Sequence, residues 1–134
     1  MKANRLITIA SSAVVAVAIL AGLYLSGSPA EQRLLRLDER RVSALMQLSY
    51  TISNYREESG RLPPELAVLV DGQRLRSLPA DPQTGRVYTY EIAGADSYRL
   101  CAEFSRASVE TVPADFWAHP AGKHCFELNA DPER

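Results

Sequence analysis

The chain has 134 residues and a formal net charge of -1, from 15 Lys and Arg against 16 Asp and Glu. This balance argues against a nucleic-acid partner, because proteins that bind nucleic acids present a surplus of basic side chains. Without its apolar N-terminal segment the chain has roughly a hundred residues, which suits one small domain rather than two.

The N-terminal region predicts a transmembrane helix over residues 6–26, preceded by a short basic tail, 1–5. The twenty residues from Leu6 to Leu25 carry no charge. At about 1.5 Å per residue they cover about 30 Å, the thickness of the hydrocarbon core of a bilayer. The alternative is a cleaved signal peptide ending near Ser28-Pro29-Ala30, but the apolar regions of signal peptides run only about 7 to 15 residues. We expect an uncleaved anchor.

We expect the tail 1–5 to be cytoplasmic and residues 27–134 to form an extracytoplasmic domain. Lys2 and Arg5 directly precede the apolar segment, whereas the first basic residue after it is Arg33. The arginines that follow outnumber the leading charges, but folded domains cross membranes largely regardless of charge.

A long helix is predicted over 29–59. Ser28 is suited to cap it, Pro29 occupies the first helical position, where no N–H donor is needed, and Glu31 completes a capping box. Gly60 can end it in the left-handed conformation. Apolar residues spaced by three to five positions form one stripe that needs a partner surface: Leu34, Leu37, Val42, Leu45, Leu48, Ile52 and Tyr55.

Four arginines lie on the opposite side of this helix: Arg33, Arg36, Arg40 and Arg56. We interpret them as a solvated face. Contact with anionic lipid headgroups is the alternative interpretation.

The rest of the domain is predicted to be a short helix over 64–71, a turn-rich loop over 78–85 and an antiparallel sheet over 86–128. Asp71-Gly72 ends the short helix, and two prolines with a glycine enforce the turn. The period then changes to two in strands at 87–92, 98–104 and 124–128, the first two forming a hairpin. The predicted class is α+β, with the long helix covering one face of a small sheet.

Cys101 and Cys125 both fall on the outer face of this sheet, where neighbouring strands bring side chains within disulfide distance. We expect them to be bonded, since closing a loop of about 25 residues stabilises a domain by about 3.5 kcal/mol. An oxidised pair presumes export from the cytoplasm.

No motif for catalysis is present, so we expect neither enzyme activity nor a cofactor. His119 and His124 could close a zinc site with the two cysteines, but no C-x-x-C pair supports this alternative. His124 is interpreted as an exposed strand residue. Three aspartates, Asp81, Asp96 and Asp115, are interpreted as turn residues rather than calcium ligands. The aromatic residues are interpreted as sheet and core residues, with a binding surface as the alternative.

The order of these features resembles that of type IV pilin-like proteins, above all the type II secretion pseudopilins. The likeness covers roughly residues 31–128 and rests on Gly60-Arg61-Leu62-Pro63 after the long helix and on Asp81-Pro82 with Gly85 and Tyr88 before the sheet. It implies a helix packed on an antiparallel sheet, and a setting in the bacterial inner membrane with the domain in the periplasm.

Pilins carry a glycine just before the apolar stretch, where a peptidase cuts, and a glutamate at the fifth position after it. Residues 4–10, Asn-Arg-Leu-Ile-Thr-Ile-Ala, contain neither. We therefore expect a non-catalytic, membrane-anchored interaction or scaffold domain with protein partners. A working pseudopilin-like subunit is the first alternative, and a periplasmic ligand- or metal-binding domain is the second.

Overall fold

The computed structural model describes residues 2–25, 28–108 and 115–130. Two helices come first, α1 at Lys2–Leu25 and α2 at Pro29–Ser59. A 3-10 helix, Leu66–Leu69, then precedes the strands β1 at Thr89–Ile92, β2 at Ser97–Phe104 and β3 at Gly122–Asn129. The chain divides into two compact units, residues 1–33 and 34–134. The predicted α+β layout is present.

The first unit is dominated by α1, which is long and apolar enough to span a membrane. Its described side chains, from position 4 to 25, are all exposed. Its serine and threonine hydroxyls are hydrogen-bonded to the helix itself: Thr8 donates to the carbonyl of Asn4 at 2.8 Å, and Ser11 and Ser12 donate to that of Thr8 at 3.0 and 2.9 Å. These side chains therefore enter the apolar segment without an unsatisfied donor.

Both ends of α2 are satisfied by local hydrogen bonds. Ser28 Oγ accepts the N–H of Glu31 at 3.2 Å, as an N-cap does. At the other end Gly60 has a φ of 72° and donates its N–H to the carbonyl of Arg56 at 2.8 Å. A left-handed glycine at this point ends the helix without the steric cost that a Cβ would impose.

The core of the second unit lies between α2 and one face of a three-stranded sheet ordered β1-β2-β3, with both strand pairs antiparallel. Leu45, Leu48 and Ile52 of α2 are fully buried, as are Tyr98 and Leu100 of β2. The Tyr98 hydroxyl also reaches Ser49 Oγ on α2, at 3.2 Å. The long helix and the sheet thus share one hydrophobic core.

In the second unit three elements begin two residues away from their expected start. The helix expected over 64–71 is a single 3-10 turn in which Leu66 and Leu69 are buried, a spacing that suits three residues per turn. Strand β1 begins at Thr89, because Val87 instead forms an isolated bridge with Ala80 across the preceding loop. Strand β3 extends beyond 124–128 at both ends and pairs with all of β2.

Candidate functional site

An open groove of about 400 Å³ lies between α2 and the segment after Asp115 in the second unit. Leu35, Val42 and Met46 of α2 form one apolar wall, and Trp117 and Ala118 belong to the other. Met46 is 50 % exposed, so an apolar side chain that core packing would normally bury faces solvent here. A volume of this size accommodates one or two large side chains or a small organic ligand.

The wall opposite α2 is held by hydrogen bonds and ring contacts. The backbone N–H of Ser108 donates to the carbonyl of His119 at 2.9 Å, and the N–H of His119 donates to Ser108 Oγ at 3.0 Å. The His119 ring stacks on Phe104 with centroids 3.5 Å apart, and Trp117 packs on Phe126 at 4.8 Å. The groove is therefore largely preformed.

The polar part of the groove is acidic. Glu39 and Asp115 line it together with Asp38, which is buried and paired with Arg41, and no Lys or Arg lines it among the described residues. Glu39 and Asp115 are exposed. An apolar floor with an acidic border favours an apolar segment flanked by basic side chains.

A buried ion network ties α2 to two loops of the second unit. Arg41 Nη1 lies 2.7 Å from Asp38 Oδ1, and Arg41 Nε lies 2.6 Å from Asp81 Oδ2. The side chain of Arg41 is 3 % exposed. Asp38 also accepts the backbone N–H groups of Ser105 and Arg106, each at 2.9 Å. The loop before the sheet and the end of β2 are therefore both fastened to one turn of α2.

All five N–H donors of the Arg41 guanidinium have acceptors. Besides the two carboxylates, Nη1 donates to Ser105 Oγ at 2.9 Å, and Nη2 donates to Gln83 Oε1 at 3.0 Å and to Asp81 Oδ1 at 3.3 Å. A guanidinium offers no further donor and cannot deprotonate at ordinary pH. Arg41 is therefore a structural cation and is not poised to bind an anion.

The carboxylate of Asp81 is held in its charged form. Burial alone would raise its pKa, but the hydrogen bond from Arg41 and those from the N–H groups of Thr84 and Gln83 outweigh burial and lower the pKa from 3.8 to about 2. Burial raises the pKa of Arg41's neighbour Tyr88 to about 12, with the charge of Asp81 acting in the same direction. Both groups keep one protonation state across the physiological range.

We expect Asp81 to contribute about 2 kcal/mol to the free energy of unfolding at neutral pH. Because its folded pKa lies below its unfolded value, this contribution is complete above about pH 5 and is lost as the pH falls toward about 2. Urea unfolding at a series of pH values, followed by the fluorescence of Trp117, the single tryptophan, measures it. Asp81→Asn should lack this part of the acid decline, and parallel curves for the two proteins would contradict the assignment.

The disulfide side of the sheet carries a second, more polar hollow of about 580 Å³. Cys101 lines it and is bonded to Cys125, which lies directly opposite on β3. Cys101 is 3 % exposed, so the outer face is partly covered at this point. The hydroxyl of Tyr88, which lines the hollow, is buried without a hydrogen-bond partner among the described residues.

The two histidines have different environments. His119 is buried against Phe104, whereas His124 is half-buried with its ring edge-on to Phe126 at 4.7 Å. The interpretation of His124 as an exposed strand residue is wrong, because the alternation of β3 places it on the core face with Phe126. The described residues contain no group of three or more His, Cys, Asp or Glu that could hold a metal ion.

The three aspartates take part in turns. Asp81 Oδ1 accepts the N–H of Thr84 at 2.8 Å, and Asp115 Oδ1 accepts that of Trp117 at 3.1 Å. Asp96 pairs with Arg56 Nε at 2.6 Å. Arg56 is therefore half-buried in an ion pair, which corrects its assignment to a solvated face, while Arg36 and Arg40 are exposed.

Asp38 and Arg41 were not singled out by the sequence, although their spacing carries a signal. They follow Leu34 by four and seven positions and precede Leu45 by seven and four, so they occupy the apolar stripe itself. A pair of opposite charges three residues apart on the buried stripe of a helix predicts a buried ion pair.

Comparison with known proteins gives no relative. No protein-family model matches the chain, and neither a curated protein nor a solved structure is significantly similar to it.

Proposed function

We propose that this protein is a single-pass, membrane-anchored interaction domain without catalytic activity, located outside the cytoplasm. In a bacterial cell this places α1 in the inner membrane and the disulfide-bonded domain in the periplasm. The groove between α2 and the segment after Asp115 binds an apolar segment of a partner protein that is flanked by basic residues.

The observation that carries the proposal is the combination of α1 with the disulfide. Helix α1 carries no charge from Leu6 to Leu25 and its described side chains are all exposed, so its apolar surface is left without burial, and a bilayer supplies that burial. The bond between Cys101 and Cys125 fits an oxidising compartment. Together they support a tethered domain on the outer side.

The groove supports a binding role. Its floor is apolar, its walls are fastened by hydrogen bonds, and its described border carries carboxylates without basic residues. Partner recognition through apolar anchors needs this combination of burial and charge.

Photo-crosslinking in intact cells tests the groove. A benzophenone amino acid replacing Met46 should give a covalent adduct whose partner peptide is apolar and contains Lys or Arg, as identified by mass spectrometry. The same probe at Val68, which is 38 % exposed and lies outside the groove, is the matched control. Glu39→Lys should weaken the Met46 adduct by charge repulsion. Equal adducts at both positions, or none at Met46, would contradict binding in the groove.

The same cells test the tether. The uncrosslinked protein should stay in alkali-washed membranes, and its intact mass without reductant should include α1 and be lighter by two hydrogens than the reduced chain. A mass beginning near Glu31 would mean a cleaved signal peptide and would contradict the anchor. A methylated terminus within the first residues would replace this proposal by the pseudopilin-like alternative.

A further inference from the structure

The outer edge of β3 has backbone groups with no partner in the described part of the chain. Strand β3 is the last strand of the sheet, and β2 pairs with only one of its edges. Exposed strand edges are templates for pairing with another chain. The arrangement of charges on this edge indicates which chain.

The phase of the free backbone groups follows from the pairing with β2. The Cα atoms of Cys101 and Cys125 are 4.0 Å apart, which is the close spacing of a pair that does not exchange hydrogen bonds. In agreement, Ala130 donates its N–H to Asp96 at 2.8 Å, so even-numbered residues of β3 bond toward β2. The N–H and C=O groups of Lys123, Cys125 and Glu127 therefore point to the outer edge.

We propose that two copies of this protein form a dimer by antiparallel pairing of their β3 strands, centred on Cys125. In this register Cys125 lies opposite Cys125 of the second copy, and each Lys123 lies opposite Glu127 of the other. Lys123, Cys125 and Glu127 of each strand then form hydrogen-bonded pairs, which gives six backbone hydrogen bonds across a two-fold axis. The sheet becomes continuous over six strands.

Charge selects this register. Sliding one copy by an odd number of residues puts the outward backbone groups out of phase. A slide of two removes both Lys123–Glu127 pairs, and a slide of four places Lys123 opposite Lys123 or Glu127 opposite Glu127. Charged residues usually protect an edge strand from pairing, but a lysine and a glutamate four positions apart complement each other in an antiparallel copy.

The same pairing extends a charge pattern already present within one copy. On the outer face Glu91 forms an ion pair with Arg99 at 2.8 Å, and Arg99 lies opposite Glu127. Lys123 lies opposite Glu103. Across the dimer each row therefore runs Glu91, Arg99, Glu127, then Lys123 and Glu103 of the second copy. The sign alternates at every strand, so each charge has opposite charges on its neighbours.

This inference goes beyond the proposed function, because Lys123, Cys125 and Glu127 are not among the residues that line the groove and do not belong to α1. A copy could dimerise with its groove empty or occupied. Dimerisation of the detergent-solubilised full chain is also measurable whatever compartment it comes from. Failure of the dimer would leave membrane anchoring and groove binding as they stand.

A charge swap between two variants tests the pairing. We expect the solubilised wild type to sediment as a dimer of protein chains. Lys123→Glu and Glu127→Lys should each raise the dissociation constant of the dimer by about tenfold or more, because a dimer of either variant contains two like-charge pairs. A mixture of the two variants should form a heterodimer, because all four charges across that interface are then opposite. Glu91→Lys, a reversal on β1, should dimerise as the wild type does.

Trp117 fluorescence establishes that each variant is folded before its oligomeric state is measured by sedimentation. Glu127→Pro is a second probe, because it removes an outward N–H that β2 does not use. It should abolish dimerisation while the monomer remains folded. A monomeric wild type, a dimer that persists in all β3 variants, or a mixture that stays monomeric would overturn the proposal.

Discussion

Replacing Arg41 by methionine should lower the free energy of unfolding by about 3–5 kcal/mol. The methionine fills much of the same volume, so the loss comes from charge: Asp38 and Asp81 would remain buried without their shared cation. The measurement is urea unfolding of the full chain in detergent micelles, followed by Trp117 fluorescence. A loss of this size would approach the total stability of many small domains.

Arg99→Ala is the matched control for this substitution. Arg99 also pairs with a carboxylate, Glu91, but the two side chains are 44 % and 48 % exposed. Exposed pairs contribute up to about 1 kcal/mol, so the control should change stability little. If Arg41→Met and Arg99→Ala lower the free energy of unfolding by the same amount, burial would not explain the contribution of the Arg41 network to stability.

Removing the disulfide should have the second large effect. Changing Cys101 and Cys125 to alanine should destabilise the protein by about 3.5 kcal/mol, because the unfolded chain regains the freedom of a loop of about 25 residues. Reductant should shift wild-type unfolding to the same midpoint and leave the double variant unchanged. Urea unfolding with and without reductant measures both effects.

The single variants provide the internal check. Either substitution alone breaks the bond, so each should cost about as much as the double variant, apart from packing at the more buried Cys101. Costs that add up between the two positions would mean that the cysteines act as independent core residues. A wild-type unfolding midpoint that does not change with reductant would contradict a contribution of the disulfide to stability.

Features set by neighbouring residues were predictable from the sequence. Ser28 as a cap and Gly60 as a helix end depend on groups within four positions. The alternation of β2 places Tyr98, Leu100 and Phe104 on one face whatever the strand pairs with. The same alternation in β3 places His124 on the core face, opposite to Cys125 and Glu127, so its position was also predictable, although we interpreted it as exposed.

Features made by distant residues were not predictable in the same way. Arg41 meets Asp81 and Ser105 across sequence separations of 40 and 64. The residues around Asp81 predict a turn, and Asp81 does act as a turn residue. Nothing in this local sequence indicates that it also pairs with Arg41. The groove likewise combines one side of α2 with a segment more than sixty residues later, and only the fold brings them together.

The two buried or half-buried arginines of α2 also give the helix a mechanical character. Arg41 is fastened to Asp81, and Arg56 is fastened to Asp96, with fifteen residues or about 22 Å of helix between them. A helix fixed to its domain at two separated points resists sliding and rotation as one stiff rod. Tension applied at the N-terminal end of α2 would therefore load the contacts of Asp38 and Arg41 before it loads the Arg56–Asp96 pair.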